Sequence, residues 1–516
     1  MEPFDGEIDL KENLDIHNNN KPNNLSKIKC GLLTIAIFLI LLLVVIIFLS
    51  LYKFENDTLR PTPKKEEDED KSKDKEEDRQ EDKDEDFIKE SGVINSIYAI
   101  DNLKSPLLSS EFQNINNTIK YIYINDTKIN YTKEYEFPAI GNYNVKFILN
   151  SAANLDNMFK NVNSIKSVES LDKYSNSSLT ILSMESTFEG CQNLQKLSIK
   201  SSFDTSSLKS MTKLFYNSNV EEIELNDFDT KNVNNMSYMF KSCKNLRKLE
   251  INIFNTENVI DMSGMFQGCN SLQNLDISHF NTNKVKLTPF MFSECHSLTS
   301  LDMSHFLTNN IENMANMFNN CKSLTSLDLS NFNTEQVVDM SYMFNNCESL
   351  TELNLDNFDT KRVTNMSYMF SNLYNLTSIS IYNFETPNVR SMDYMFYNDY
   401  LIKNINSYKI KTQNVEVLTG MFYNCHNLEE VYTEGIYTEN AKNLDYMFKN
   451  CSNLKEVNLY NFNTVKCNSF KEMFDGCPNL IVDIVEKIEN FENLLEVILD
   501  SNLNIRFKAS DLYYYN

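Results

Sequence analysis

Residues 323–348 read SLTSLDLSNFNTEQVVDMSYMFNNCE. The Met343-Phe344 pair inside this stretch recurs at Phe240, Phe266, Phe292, Phe318, Phe370, Phe396, Phe422, Phe448 and Phe474, each preceded by Met and each 26 residues from the next. A fixed period in this range marks a solenoid, because each copy is one supersecondary unit that buries its apolar side only by stacking on its neighbours. A second motif, L-x-x-L-x-L, keeps the same register through twelve starts, from Leu194 to a degraded copy at Leu480.

Within one copy the residue order predicts the local structure. Leu327 and Leu329 alternate with Ser326, Asp328 and Ser330, the period of a strand with its leucines inward. Phe332 takes the next inward place, then Thr334, a threonine kept in ten copies. Threonine is a good N-cap, and Val337, Met340, Met343, Phe344 and Cys347 follow with the spacing of one face of a short helix. The predicted fold is an α/β solenoid: a leucine-rich-repeat-like parallel sheet with short helices on the other face. Its predicted core column is Leu327, Leu329, Phe332, Thr334, Met340, Met343, Phe344 and Cys347. Twelve strands at ~4.8 Å spacing make a sheet roughly 50–55 Å long.

The chain has 11 cysteines and no CxxC pair, a poor framework for disulfides or zinc. Nine of them sit three residues after the Phe of their copy, so they read as a ladder of small buried hydrophobes. Glycine (10) and proline (9) are scarce, which assigns turns of positive φ to Asn and Asp. The net charge of −24 argues against a nucleic-acid partner, which needs a basic face.

Working outward, residues 1–29 are a polar, acidic stretch expected to form a disordered tail. Residues 31–52 contain no charged side chain. That is long enough to cross a bilayer core, which takes about 20 residues, and too long for a cleavable signal. Residues 30–52 are therefore expected to be a transmembrane signal-anchor helix and 53–90 an acidic stalk. In the run 64–86, 21 of 23 residues are charged, leaving nothing to bury. Lysines and arginines flank the span on both sides, so charge alone does not orient it. A short tail, one span and a large C-terminal body fit a single-pass protein with its body outside the cell. Residues 91–149 carry β-branched and aromatic runs such as IKYIYI and NVKFIL, expected to form a small β cap domain. The repeat solenoid is assigned to 150–482 and a C-terminal cap to 483–516.

The string F-N-T-x-x-V-x-x-M-S-Y-M-F-x-x-C-x-S-L-x-x-L-x-L, carried almost without interruption from Phe332 to Leu355, resembles the BspA-like leucine-rich-repeat family, in particular its DUF285-type repeats of 25–26 residues. The likeness extends over roughly 150–482. It implies a cell-surface protein of the kind linked to attachment to host or matrix ligands, and it brings no catalytic residues.

No phosphate loop, nucleophile elbow or HExxH motif is present in the sequence, and no cofactor is expected. His279 and His305, one period apart, read as drift from the Asn of other copies rather than a metal pair. Asp276, Asp302 and Asp328 form an outward column on successive strands, where carboxylates this close either raise one another's pKa, hold Ca²⁺ or stand as a solvated face. Further along, Tyr382, Tyr408 and Tyr460 share one outward column, with Tyr432 beside it. Tyrosine supplies rigid amphipathic contact area, so these seven residues are the candidate ligand surface. The expected function is non-catalytic recognition of an extracellular protein or glycan, against the alternative of a structural coat or spacer.

Overall fold

The computed structural model describes residues 92–508 except 114, 171–178, 200–202, 226–227, 407–408, 486–491 and 502. All of these lie in the second of two compact units, Arg79–Asn516. The expected tail, membrane span and stalk lie outside the described residues. Among the described residues no helix is long and apolar enough to cross a membrane.

A period of 26 places equivalent residues in register, and the parallel pairs run at that offset: Lys196↔Glu222↔Lys248, Glu352↔Ser378 and Asn404↔Glu430. The strands are short because only two or three residues per turn alternate, as in Glu352–Asn354, where Leu353 alone points inward. At 326–330 the alternation persists, with Ser326, Asp328 and Ser330 exposed, Leu329 buried and Leu327 half-buried. The bond there from Thr325 N–H to Thr299 O is long, 3.3 Å, and the segment does not close into a named strand.

The predicted helices are absent from the described turns, so the fold is a β-solenoid rather than α/β. Tyr342 and Asn346 both have φ of 57°, in the left-handed region where an α-helix cannot continue. Every second N–H in this segment bonds the following turn: Met340 to Asn365 O, Tyr342 to Ser367 O, Phe344 to Met369 O and Asn346 to Ser371 O, at 2.9–3.1 Å. The intervening N–H groups close local turns, Met343 to Met340 O, Asn345 to Tyr342 O and Cys347 to Phe344 O. Apolar residues at this spacing face inward in such alternating turns as they do in a helix.

Thr334 is likewise not an N-cap. Its hydroxyl donates to Asp359 O in the next turn at 2.9 Å. Thr308 shows the full pattern, accepting from Asn333 N–H at 2.7 Å and donating to Asn333 O at 2.8 Å. The threonine column thus bonds each turn to the backbone of the next. The cysteines do the same from the other side: Cys347 Sγ donates to Phe318 O at 3.1 Å, and Cys321 to Phe292 O at 3.1 Å.

The core is one continuous cluster running from Ile94 to Ile498. Its spine is a file of thirteen phenylalanines, Phe159 to Phe474, with successive centroids 5.3–6.0 Å apart. Phe332 belongs to a second file, 6.2 Å from both Phe306 and Phe358. Met340, Met343, Phe344, Cys347 and Thr334 are fully buried.

At the N-terminal end Val93–Ile100 lies antiparallel to both Gly141–Leu149 and Ile165–Ser170, and the latter runs parallel to Lys196–Ser198. The sheet of residues 93–149 is therefore continuous with that of the solenoid. Phe147 meets Phe159 edge-on at 5.3 Å and closes the phenylalanine file. At the other end, Ile481–Val485 pairs with Asn504–Lys508, and the Glu492–Asp500 helix buries Leu494 and Ile498 against the same core.

Candidate functional site

On the strand face, Tyr382 and Tyr432 are each 50% exposed, Tyr460 is half-buried, and Tyr408 lies outside the described residues. Lys409 Nζ sits 4.6 Å from the Tyr382 ring centroid, and the Tyr382 amide donates to the Asp356 carboxylate at 3.1 Å. Tyr432 occupies the neighbouring column, two residues before the place equivalent to Tyr382. Asp276, Asp302 and Asp328 are capped by the serine two residues on, through N–H bonds of 2.9–3.0 Å from Ser278, Ser304 and Ser330. These bonds hold all three carboxyls below the usual range, the serine hydroxyl leading at Asp276 and Asp302 and the amide at Asp328. The mutual raising considered from sequence is overridden, and the column works as a set of turn-forming Asx caps. Among the described residues no group of three or more His, Cys, Asp or Glu is placed to hold a metal ion. The thiols are poor nucleophiles: burial pushes Cys347 up to about 12.

The turn face carries a more concentrated aromatic surface. Tyr238, Tyr342, Tyr368, Tyr394 and Tyr446 occupy equivalent places, all with φ of 51–59°. A bulky L-residue there costs roughly 1–2 kcal/mol. The same place in other turns is filled by Gly264, Phe290, Asn316, Gly420 and Glu472, so the backbone does not require tyrosine. The rings stack: Tyr342 on Tyr368 at 4.7 Å and 7°, Tyr368 on Tyr394 at 5.0 Å and 22°. From Tyr394 contacts spread to Tyr397 at 5.5 Å, then Tyr423 at 5.1 Å, then Tyr446 at 5.9 Å. A parallel file joins Tyr374 to Tyr400 at 5.4 Å and Tyr400 to His426 at 5.3 Å. Lys449 lies over Tyr423 and Tyr446, and Lys471 over Tyr446, within 5.9 Å.

These rings are half-buried. Burial raises the phenol pKa of Tyr342, Tyr368, Tyr374, Tyr394 and Tyr400, so their hydroxyls remain protonated donors. A second left-handed column, four residues on, is mostly asparagine. Asn346, Asn398, Asn424 and Asn450 each pass an amide bond of 2.7–3.0 Å to the equivalent Asn of the preceding turn. This amide ladder fixes the floor from which the tyrosines rise. The result is a rigid, hydroxyl-edged aromatic surface on stiff backbone, suited to binding.

The sequence profile of the family described as "Mycoplasma protein of unknown function, DUF285" matches residues 153–249, 217–326, 290–408, 324–434 and 400–502, together more than half of the chain. The chain belongs to the DUF285 family. The likeness read from the repeat, to BspA-like leucine-rich-repeat proteins with DUF285-type copies, is borne out. No curated protein sequence matches the chain. Among solved structures, the DUF285 chain aligns with one titled "Structure of the Toll - Spatzle complex, a molecular hub in Drosophila development and innate immunity", at 13% identity and TM-score 0.21, over 67% of this chain and 49% of that one. It also aligns with "Crystal structure of TLR13-ssRNA13 complex", at 14% identity and TM-score 0.17, over 66% of this chain and 59% of that one. The chain thus spans about half the length of these structures, and scores this low carry no weight for fold detail or function.

Alternation makes the exposure of Tyr382 and Tyr432 in the DUF285 repeat legible, whereas the turn-face array is not. The signal is present: a tyrosine two places before Phe, in M-x-Y-M-F at Tyr238, Tyr342, Tyr368 and Tyr394 and in L-D-Y-M-F at Tyr446. A helical reading of that segment points these tyrosines outward but gives no reason for them to stack. Alternating turns at rung spacing put the rings in one file.

Proposed function

We propose that this DUF285 chain is a non-catalytic recognition protein of the cell surface, held by a single membrane span at 30–52 with its repeat body outside. It binds a protein or glycan ligand through exposed faces of the C-terminal turns. The observation that supports this is the tyrosine array on the turn face. Five tyrosines stand in a left-handed column that Gly, Asn, Phe290 or Glu472 fills in other turns, and three of them, Tyr342, Tyr368 and Tyr394, stack on consecutive turns into one half-exposed aromatic file. Tyrosine is enriched where proteins bind, because it gives large contact area with little entropy to lose. Tyr382 and Tyr432, each half exposed, extend an aromatic character to the strand face of the same turns.

The test uses the full chain displayed on cells against a panel of immobilised matrix proteins and glycans. Tyr342→Asn, Tyr368→Asn and Tyr394→Asn together follow the residue already present at Asn316, so the fold is expected to survive. Attachment is expected to fall about tenfold or more, as for loss of hot-spot residues; Tyr382→Ser with Tyr432→Ser probes the strand face separately. Undiminished attachment by both folded variants would favour the coat reading. Protease treatment of intact cells reports the topology: protection of the repeat body would place it inside and end the surface assignment.

A further inference from the structure

A second surface lies at the corner where each strand passes into the turn face. Arg390, Glu416, Lys442 and Asn468 stand on successive turns, joined by backbone bonds from Glu416 N–H to Arg390 O at 2.8 Å, Lys442 N–H to Glu416 O at 3.0 Å and Asn468 N–H to Lys442 O at 2.9 Å. Beside them run Asn414, Asn440 and Lys466, with Lys466 Nζ on Asn440 Oδ1 at 2.6 Å and Arg390 Nη1 on Asn414 O at 3.2 Å. Together they line a shallow concavity of about 370 Å³. Lys442 bonds the Glu416 carboxylate directly. That bond, and the charges of Lys442, Arg390 and Lys466, hold Glu416 below the usual carboxylate range. Three cations thus share one carboxylate, a local positive excess on a chain of net charge −24.

We propose that this corner is a binding site for a linear acidic polysaccharide, whose sulfate or carboxylate groups take the place of Glu416 among Arg390, Lys442 and Lys466. Three features select that partner. Every lining side chain is charged or an amide, so the site lacks the apolar anchor around which a protein interface forms. It also lacks the aromatic platform on which unpaired bases stack. Its cations repeat along the stacking direction at multiples of the rung spacing of ~4.8 Å, which suits a chain that repeats its own negative charge. Glu416 acts as an internal competitor that the ligand displaces. The site deepens the recognition reading and rests on it only in requiring an exposed repeat body.

The full chain is titrated with heparin, which carries sulfates and carboxylates, with hyaluronan, which carries carboxylates alone, and with chemically desulfated heparin and a single-stranded oligonucleotide. Salt-dependent binding of heparin, with or without hyaluronan, supports the site, and the two probes identify which anion suffices. Arg390→Ala, Lys442→Ala and Lys466→Ala together are expected to weaken binding about tenfold or more, while Glu416→Gln tightens it about two- to fivefold, as befits removal of an exposed ion-pair competitor. All four side chains are surface groups, and an unchanged melting temperature confirms folding. Binding that ignores the triple variant, or an oligonucleotide that binds as well as heparin, overturns the proposal; failure of Glu416→Gln to tighten overturns the competitor role. A chain that loses attachment through the tyrosine variants yet ignores these probes keeps its recognition role and loses this site.

Discussion

At the scale of single residues, the exceptions in a column say most about its chemistry. The place filled by Cys347 in one turn is filled by Asp399 two turns later. Asp399 is fully buried; its Oδ1 accepts from Leu373 N–H at 2.9 Å and its Oδ2 has no hydrogen-bond partner among the described residues. Burial raises its carboxyl pKa well above the usual range. The sign of the linkage follows directly. Above about pH 4 the unfolded chain releases this proton and the folded chain keeps it, so stability falls as pH rises toward the folded pKa. Asp399→Asn, or Asp399→Cys to restore the thiol, is expected to stabilise the protein at pH 8 by about 1–3 kcal/mol and to flatten the decline from pH 5. Parallel melts of wild type and variants at the two pH values check this; equal pH slopes would show that Asp399 is ionised and solvated in the folded state.

At the scale of the element, the turn is held to its neighbours by side chains that bond at an offset of one copy. Thr308, Thr386, Thr412 and Thr438 each clasp the N–H and C=O of one residue in the next turn. Thr308→Val keeps the shape, removes both bonds and leaves two backbone groups short of a partner. A loss of about 1–3 kcal/mol is expected in denaturant melts, against a few tenths if the threonine were surface decoration. This is also the level at which sequence and structure part. The period, the register and the inward identity of Leu329, Phe332, Met340, Met343, Phe344 and Cys347 are all legible as sequence, because burial depends on spacing and residue type. The helix is not excluded by spacing, since turns closed at i→i−3 repeat almost the same inward pattern. What separates them is the sign of φ at Tyr342 and Asn346. Asparagine signals that sign weakly, and tyrosine signals the opposite. The expected Asn turns are present, but the left-handed tyrosines break the propensity rule, and they mark the candidate binding surface.

At the scale of the whole molecule, an open stack must finish at each end. At the C-terminal end the buried Asp483 is clamped by Arg506, with Nε and Nη2 both at 2.6 Å, and Arg506 also reaches Glu456 at 2.6 Å. Arg506→Leu strands a buried carboxylate and is expected to destabilise this end of the stack, while adding Asp483→Leu recovers most of the loss. Limited proteolysis reads the effect as early cleavage within 481–508 in the single variant alone; equal protection of all three forms would place the stabilisation elsewhere. The clasping threonines, the thiols and the stacked phenylalanines between the ends carry a further consequence, one that concerns inheritance. Each meets the adjacent copy at a fixed offset, the hydroxyls and thiols on its backbone and the phenylalanines ring on ring, so any two interior copies present matching surfaces to each other. Unequal recombination that inserts or removes 26 codons would lengthen or shorten the rod by one turn with no core to redesign. The lineage is free to vary its reach while each surviving turn keeps its own outward face.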